Sequence, residues 1–266
     1  MTRTGDAADL VGDLLADLAA ERAQLRAIVD TIESPAWFAA TPSPGWSVRD
    51  QIAHLAFFDQ MAVLAVADPT QFSLERAAAL ADTSAYGIEH LRRVPARAPA
   101  LLTERADAAD SFHAAVHSVP ANSRVPWYGP HMSLASMVSA RLMEHWAHGH
   151  DVAAALGVQR EPTDRLRHVA TLAVRARGYG YVVRDREPSS VPVRVELTAP
   201  SGESWTYGPP DAPDRISGGA ADFCLVLVRR RHPDDTELTI TGAAAREWLE
   251  IGQAYAGQPG AGPARR

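Results

Sequence analysis

Cysteine is almost missing: Cys224 is the only one in 266 residues. A disulfide framework within the chain is therefore impossible, and the usage fits a reducing cytoplasm. Long apolar runs are also missing. No stretch of eighteen apolar residues occurs, so no membrane span is expected. Met1 to Asp6 contain no apolar segment of the kind a signal peptide needs. Positive charge is in deficit, with 26 basic residues against 32 acidic ones and a net charge of −6. Nucleic acids and anionic membranes call for a basic face, so neither is expected as a partner. There is no internal repeat, and the Pro/Gly-rich residues 258–266 form a tail expected to be disordered.

What is present is apolar and helical. Hydrophobic residues make up 46% of the chain, enough for one large core or two ordinary ones. Leu10, Leu14, Leu15, Leu18, Leu25 and Ile28 predict an amphipathic helix over 6–32. Pro35, Pro42 and Pro44 break the pattern. Ser47-Val-Arg-Asp50 has the form of a capping box and opens a second helix running to about Ala67. A third helix is expected over 71–93, carrying Leu74, Ile88 and Leu91. A fourth is expected over 101–119. Residues 120–132 read as a loop that carries Trp127 and Tyr128. A fifth helix, Ser133 to Leu156, has Ser133 as N-cap and Gly157 as its stop.

After a further helix expected over 163–184, the pattern changes. Val191–Thr198 and Ser204–Tyr207 alternate as strands around a turn at 199–203. Arg215-Ile216 reads as a bridge, 219–229 as a helix, 236–241 as a strand and 242–254 as a closing helix. The fold class expected is α plus α+β. A helical bundle spans 1–160, and a linking helix with a small α+β domain spans 161–257.

One stripe on the fifth helix calls for chemistry. Arg141, Glu144, His148 and Asp151 follow three- and four-residue steps, so they share a face. Charges that face inward need partners, and a divalent metal partners a Glu and a His at this spacing. His54 on the second helix supplies a third ligand if the bundle brings the two helices together. Two imidazoles and one carboxylate with an open position form a catalytic zinc pattern, and nickel or ferrous iron can use the same set. Asp151 is placed to hold the second ring nitrogen of His148, and Arg141 to meet an anionic substrate. Asp50 and Asp151 are candidates for moving protons.

Each reading has a plainer counterpart. Glu and His at this spacing are common on solvated helices. His54 beside Phe58 and Met61 reads equally as a core histidine. Trp127 and Tyr128 are substrate-contact candidates or an apolar lid. His113 and His117 form a competing pair. Cys224, inside Phe223–Val228, is a packing residue rather than a nucleophile. Arg229, Arg230 and Arg231 form a basic cluster, either a solvated helix end or an anion contact.

Gly45-Trp46-Ser47-Val48-Arg49-Asp50-Gln51-Ile52-Ala53-His54-Leu55 resembles the entry to the metal-bearing second helix of the DinB-like superfamily. Glu144-x-x-x-His148 with Gly149-x-Asp151 resembles the ligand helix of its mycothiol-dependent maleylpyruvate isomerase branch. Gly218-Gly219-Ala220-Ala221-Asp222 resembles part of that branch's sterol-carrier-like second domain. Pro126-Trp127-Tyr128-Gly129-Pro130 through Arg141 is similar to an actinobacterial subgroup. The resemblance implies His54, Glu144 and His148 as zinc ligands and mycothiol as a thiol cofactor. It also implies an active-site arginine from the second domain, and Arg229, Arg230 and Arg231 crowd the matching region. The expected activity is metal-dependent isomerisation, or thiol addition or transfer, on a small carbonyl-bearing or anionic substrate. The alternatives are a thiol-independent Lewis-acid isomerase, cyclase or lyase, and a non-catalytic ligand-binding module. The oligomeric state is left open.

Overall fold

Most apolar positions of the first segment are buried along one side of a helix, while Leu10 near its start is exposed. Helix α1 (Thr4–Val29) buries Leu14, Leu18, Leu25 and Val29, at steps of four and seven that line one face. The computed structural model describes residues 4–81, 92, 98–260 and 262–265. The chain divides into two compact units, Met1–Arg160 and Glu161–Arg266.

In the first unit, a 3-10 turn at Ser34–Phe38 follows α1. Then come α2 (Val48–Ala67), α3 (Pro69–Ala81), α4 (Ala98–His117), the short antiparallel pair β1 (Arg124–Val125) and β2 (Met132–Ser133), and α5 (Leu134–Ala155). Helix α2 is central and packs on α3, α4 and α5, while α1 packs on α5. Leu25, Trp37, Ile52, Leu55, Leu101 and Val152 meet in one apolar cluster. Both halves of the Ser47–Asp50 capping box form, and the Ser133 side chain caps α5 by accepting from Ser136 N. Helix α4 starts three residues before its expected position. It takes Pro99 into its first turn, where a missing N–H leaves no intrahelical bond unmade. The third helix is described to Ala81; its expected continuation through Ile88 and Leu91 lies outside the described residues.

The second unit has α6 (Leu166–Arg175), α7 (Arg177–Val182), β3 (Val193–Thr198), β4 (Ser204–Tyr207), β5 (Asp214–Gly219), α8 (Ala220–Leu227), a 3-10 turn at Pro233–Asp235, β6 (Thr239–Thr241) and α9 (Ala243–Ile251). The sheet order is β4-β3-β5-β6, with β3 and β5 parallel and the outer pairs antiparallel. Val193, Val195 and Leu197 alternate inward, as a half-buried strand requires.

Three expectations are corrected in this unit. The single helix over 163–184 is two, interrupted at Ala176. Gly178 and Gly180 weaken a continuous helix there. A Cβ at 180 would lie 3.0 Å from Ile251 O, so the position serves close backbone packing. The bridge at Arg215-Ile216 is a full inner strand, its alternation hidden by three small residues, Ser217, Gly218 and Gly219. The strand expected over 236–241 is confined to Thr239–Thr241, because Pro233 and the side-chain cap of His232 start a 3-10 turn just before it. Among the described residues no helix is long and apolar enough to cross a membrane. The whole is mostly helical with one small mixed sheet, the α plus α+β class.

Candidate metal centre

The capping box fixes where α2 begins, and His54 sits two turns in. On α5, Glu144 and His148 are one turn apart. The three side chains converge: one ligand atom from each lies within 4.8 Å of the others. Glu144 Oε2 is 3.1 Å from His148 Nε2 and 3.5 Å from His54 Nε2. Tetrahedral bonds of ~2.0–2.1 Å place ligand atoms roughly 3.3–3.4 Å apart. The observed separations bracket that value, so the residues fit a divalent cation. Among the described residues this is the one group of three or more His, Cys, Asp or Glu side chains that fits a cation.

The partner of the second His148 nitrogen is not the expected one. His148 Nδ1 meets Gln51 Oε1 in a short hydrogen bond. The Gln51 amide donates to Thr41 Oγ1 at 2.9 Å and to Asp151 Oδ2 at 3.4 Å, which fixes its orientation. Asp151 therefore stands one residue further back, held also by Ser43 Oγ at 2.8 Å. An amide oxygen accepting from Nδ1–H leaves the Nε2 lone pair aimed at the cluster. Gln51 is the residue that sequence reasoning missed. Its signal was its place on α2's apolar stripe, between Val48 and Leu55, where it is fully buried.

Aromatic rings enclose the imidazoles. Trp46 stacks near His148 at 5.8 Å between centroids and meets His54 edge-on at 5.4 Å. Phe58 lies 4.6 Å from His54. Trp46 is carried by a tight turn. Thr41 N donates to Trp46 O at 2.8 Å, and Gly45 takes a left-handed φ of 78° that a side chain would strain.

Charge follows the geometry. Partial burial pushes the Glu144 carboxyl up, but hydrogen bonds with His148 and His54 outweigh it and hold the group well below its ordinary 4.5. It is an anion facing two imidazoles. Asp50 is held down too, with burial opposed by Arg92 and by the Ser47 cap. An ionised cap tied to Arg92 at 3.0 Å is a structural carboxylate, so the proton-moving role expected for Asp50 is withdrawn.

Arg141 belongs to a different cluster. It is fully buried and donates to Asp59 Oδ1 at 2.8 Å, so it is not placed to meet a substrate beside the three ligands. Arg22 Nη2 and His145 Nε2 each lie 2.9 Å from Asp59 Oδ2. Trp127 is buried and stacked on Phe72 at 5.6 Å, which is a packing role. Tyr128 is half-buried and meets Phe58 edge-on at 5.5 Å, one ring away from His54. His113 and His117 are exposed on α4, and no third ligand joins them among the described residues. In the second unit, Arg229 donates to Glu250 O at 2.6 Å and Arg230 to Val228 O at 2.8 Å. Cys224 is buried and its thiol is pushed up by burial, the state of an inert packing residue.

The comparisons with known proteins fall on the same parts of the chain. A family model described as the mycothiol maleylpyruvate isomerase N-terminal domain matches residues 18–153, which hold all three ligand candidates. A second, described as wyosine base formation, matches residues 189–241, within the sheet unit. A protein of Mycobacterium tuberculosis, present in two strains and described only as uncharacterised, is 42% identical over 94% of this chain and 98% of its own. Crystal structures of a mycothiol-dependent maleylpyruvate isomerase and of its histidine-to-alanine mutant share this fold. Their TM-scores are 0.57 and 0.59 at 16% identity, covering 90% of this chain and 96% of theirs.

Proposed function

The chain belongs to the family of the mycothiol maleylpyruvate isomerase N-terminal domain, and on that premise we propose that it is a metal-dependent, isomerase-like enzyme. Its substrate would be a small carbonyl-bearing or anionic molecule. The observation that carries this reading is the convergence of His54, Glu144 and His148 within 4.8 Å inside an aromatic wall. A divalent cation there, zinc by its donor set, would supply Lewis acidity and one open position for a thiol or a substrate oxygen.

The chain's own residues do the remaining work. Glu144 contributes the negative charge that offsets a cation. Gln51 fixes the tautomer and tilt of His148. Trp46 and Phe58 keep water from the open side and present flat apolar surfaces to an unsaturated substrate. Tyr128, beyond Phe58, is the substrate contact we assign from the aromatic loop. Mycothiol, named in the descriptions of the family and of the structural neighbours, is the thiol we assign to the open position. If bound there, it would supply a sulfur nucleophile suited to isomerising an activated double bond or to forming a conjugate with it.

The test has two arms. His54→Ala, Glu144→Ala and His148→Ala each lose bound metal by elemental analysis while keeping the helical circular dichroism of the parent. Full metal in any one removes that residue from the site. Turnover of a cis-configured unsaturated keto acid rises when a low-molecular-weight thiol is added. A rate indifferent to thiol favours direct Lewis-acid isomerisation. A metal that is retained with every substrate inert favours a binding module.

A further inference from the structure

Helices α1 and α4 leave a cleft of about 310 Å³ between them, lined by none of the proposed metal ligands. Its walls are small and apolar, with Leu15 and Ala19 on α1 and Ala106 on α4. Set into them are three arginines, Arg22, Arg26 and Arg105. Arg26 sits at the exposed rim and pairs with Asp30 at 3.0 Å. Arg22 lies deeper, its guanidinium 2.9 Å from Asp59, which already holds Arg141 at 2.8 Å.

Arg105 is different. It is only 5% exposed, and its Nη1 is buried with no hydrogen-bond partner among the described residues. Asp110 and His113 also line the cleft, and neither forms an ion pair with Arg105 among those residues. Burial pushes the Arg105 guanidinium down to about 10, with attraction from Asp59 and repulsion from Arg22 as smaller influences. A buried cation with an idle donor is costly unless something supplies the acceptor. The chain has no lysine, so all 26 of its basic side chains are arginines. Its cations therefore meet anions through planar forks suited to carboxylate and phosphate.

We propose that this cleft binds an organic anion, a carboxylate or phosphate group on a small apolar body, with the Arg105 guanidinium as its anchor. The apolar walls take the body and the arginines take the charge, the usual composition of a small-molecule pocket. The site is separate from the metal cluster and does not depend on the activity proposed for it.

Titration calorimetry on the full chain tests this, with phenyl phosphate and benzoate as probes and benzyl alcohol as the uncharged control. One of the two anions binds saturably, which also tells phosphate from carboxylate, and benzyl alcohol does not. Arg105→Met weakens that binding by about tenfold or more, the value of a charged hydrogen bond. Glu144→Gln leaves it unchanged. Arg105→Met also melts at or above the parent temperature, because an unpartnered buried cation has been removed. Absence of saturable binding by both anions overturns the proposal, as does equal binding by Arg105→Met. Loss of binding in Glu144→Gln overturns it by moving the anion to the metal cluster. A lower melting temperature for Arg105→Met overturns it by making the guanidinium one of the fold's own supports.

Discussion

His148 can turn its Nε2 toward Glu144 and His54 because Gln51 occupies its other nitrogen. Remove the amide and the ring keeps its position in the helix but loses what holds its tilt and tautomer. Outer partners of this kind alter metal affinity by roughly 10–100-fold. Gln51→Leu is therefore expected to bind metal that much more weakly, measured by competition with a chromophoric chelator, while retaining its helical signal. An affinity equal to the parent would leave His148 without need of its amide partner. The i,i+4 spacing of Glu144 and His148 made that pair legible in the sequence, because helix periodicity alone places them together. Gln51 was hidden for a physical reason. A glutamine on a helix looks solvated until its neighbours are read with it, and here Val48, Ile52 and Leu55 surround it on the buried side. Asp59, eight residues further along the same buried face, was hidden in the same way.

Helix α5 shows where reading a stripe reaches its limit. Arg141, Glu144, His148 and Asp151 do share a side, yet a helix side meets more than one neighbour. Glu144 and His148 face His54, whereas Arg141 and His145 reach a different residue of α2, Asp59. The periodicity gave the spacing along one helix but could not give the height at which α2 crosses it. The Asp59 cluster ties α1, α2 and α5 together through Arg22, Arg141 and His145, and this makes the bundle sensitive to acid. Burial lowers His145 from its ordinary 6.5 to about 3, against the attraction of Asp59. The unfolded chain takes up that proton near 6.5 and the folded chain only near 3. Between those values the unfolded state holds more protons, so stability rises with pH and is fully present above 6.5. Asp59 acts in the same direction at lower pH. Burial pushes it up, but His145, Arg141 and Arg22 hold it well below 3.8, so its contribution is lost as pH falls beneath that value. Urea unfolding should therefore show stability dropping from pH 6.5 to pH 4, by up to about 1.4 kcal/mol per pH unit for the histidine. His145→Asn should flatten that part of the profile. A wild-type profile already flat from pH 4 to pH 7 would mean that His145 is protonated in the folded protein.

At the scale of the whole chain, two cores are built from two patterns. Steps of three and four build the first unit, and alternation at Val193, Val195 and Leu197 builds the sheet of the second. The change in pattern was legible from Val191 onward, where β-branched residues alternate with polar ones. The split at Ala176 was not, since Gly178 and Gly180 only weaken a helix there, and the close packing of Gly180 on Ile251 and Gly252 is a contact far away in sequence. Every residue assigned to the metal centre lies in the first unit: Trp46, Gln51, His54 and Phe58 on or before α2, and Glu144 and His148 on α5. So does the apolar cluster beneath them, from Leu25 to Val152. The second unit closes its own core, with Phe223 meeting Trp248 edge-on at 5.8 Å. Groups that share no partners contribute nearly additively, within ~0.3–0.5 kcal/mol, or about twofold in affinity. A fragment of residues 1–160 is thus expected to fold with a cooperative thermal transition and to bind metal within about twofold of the full chain by chelator competition. A fragment that is folded but binds far more weakly would place a determinant of the metal site beyond Arg160, and the three-ligand assignment would then be incomplete.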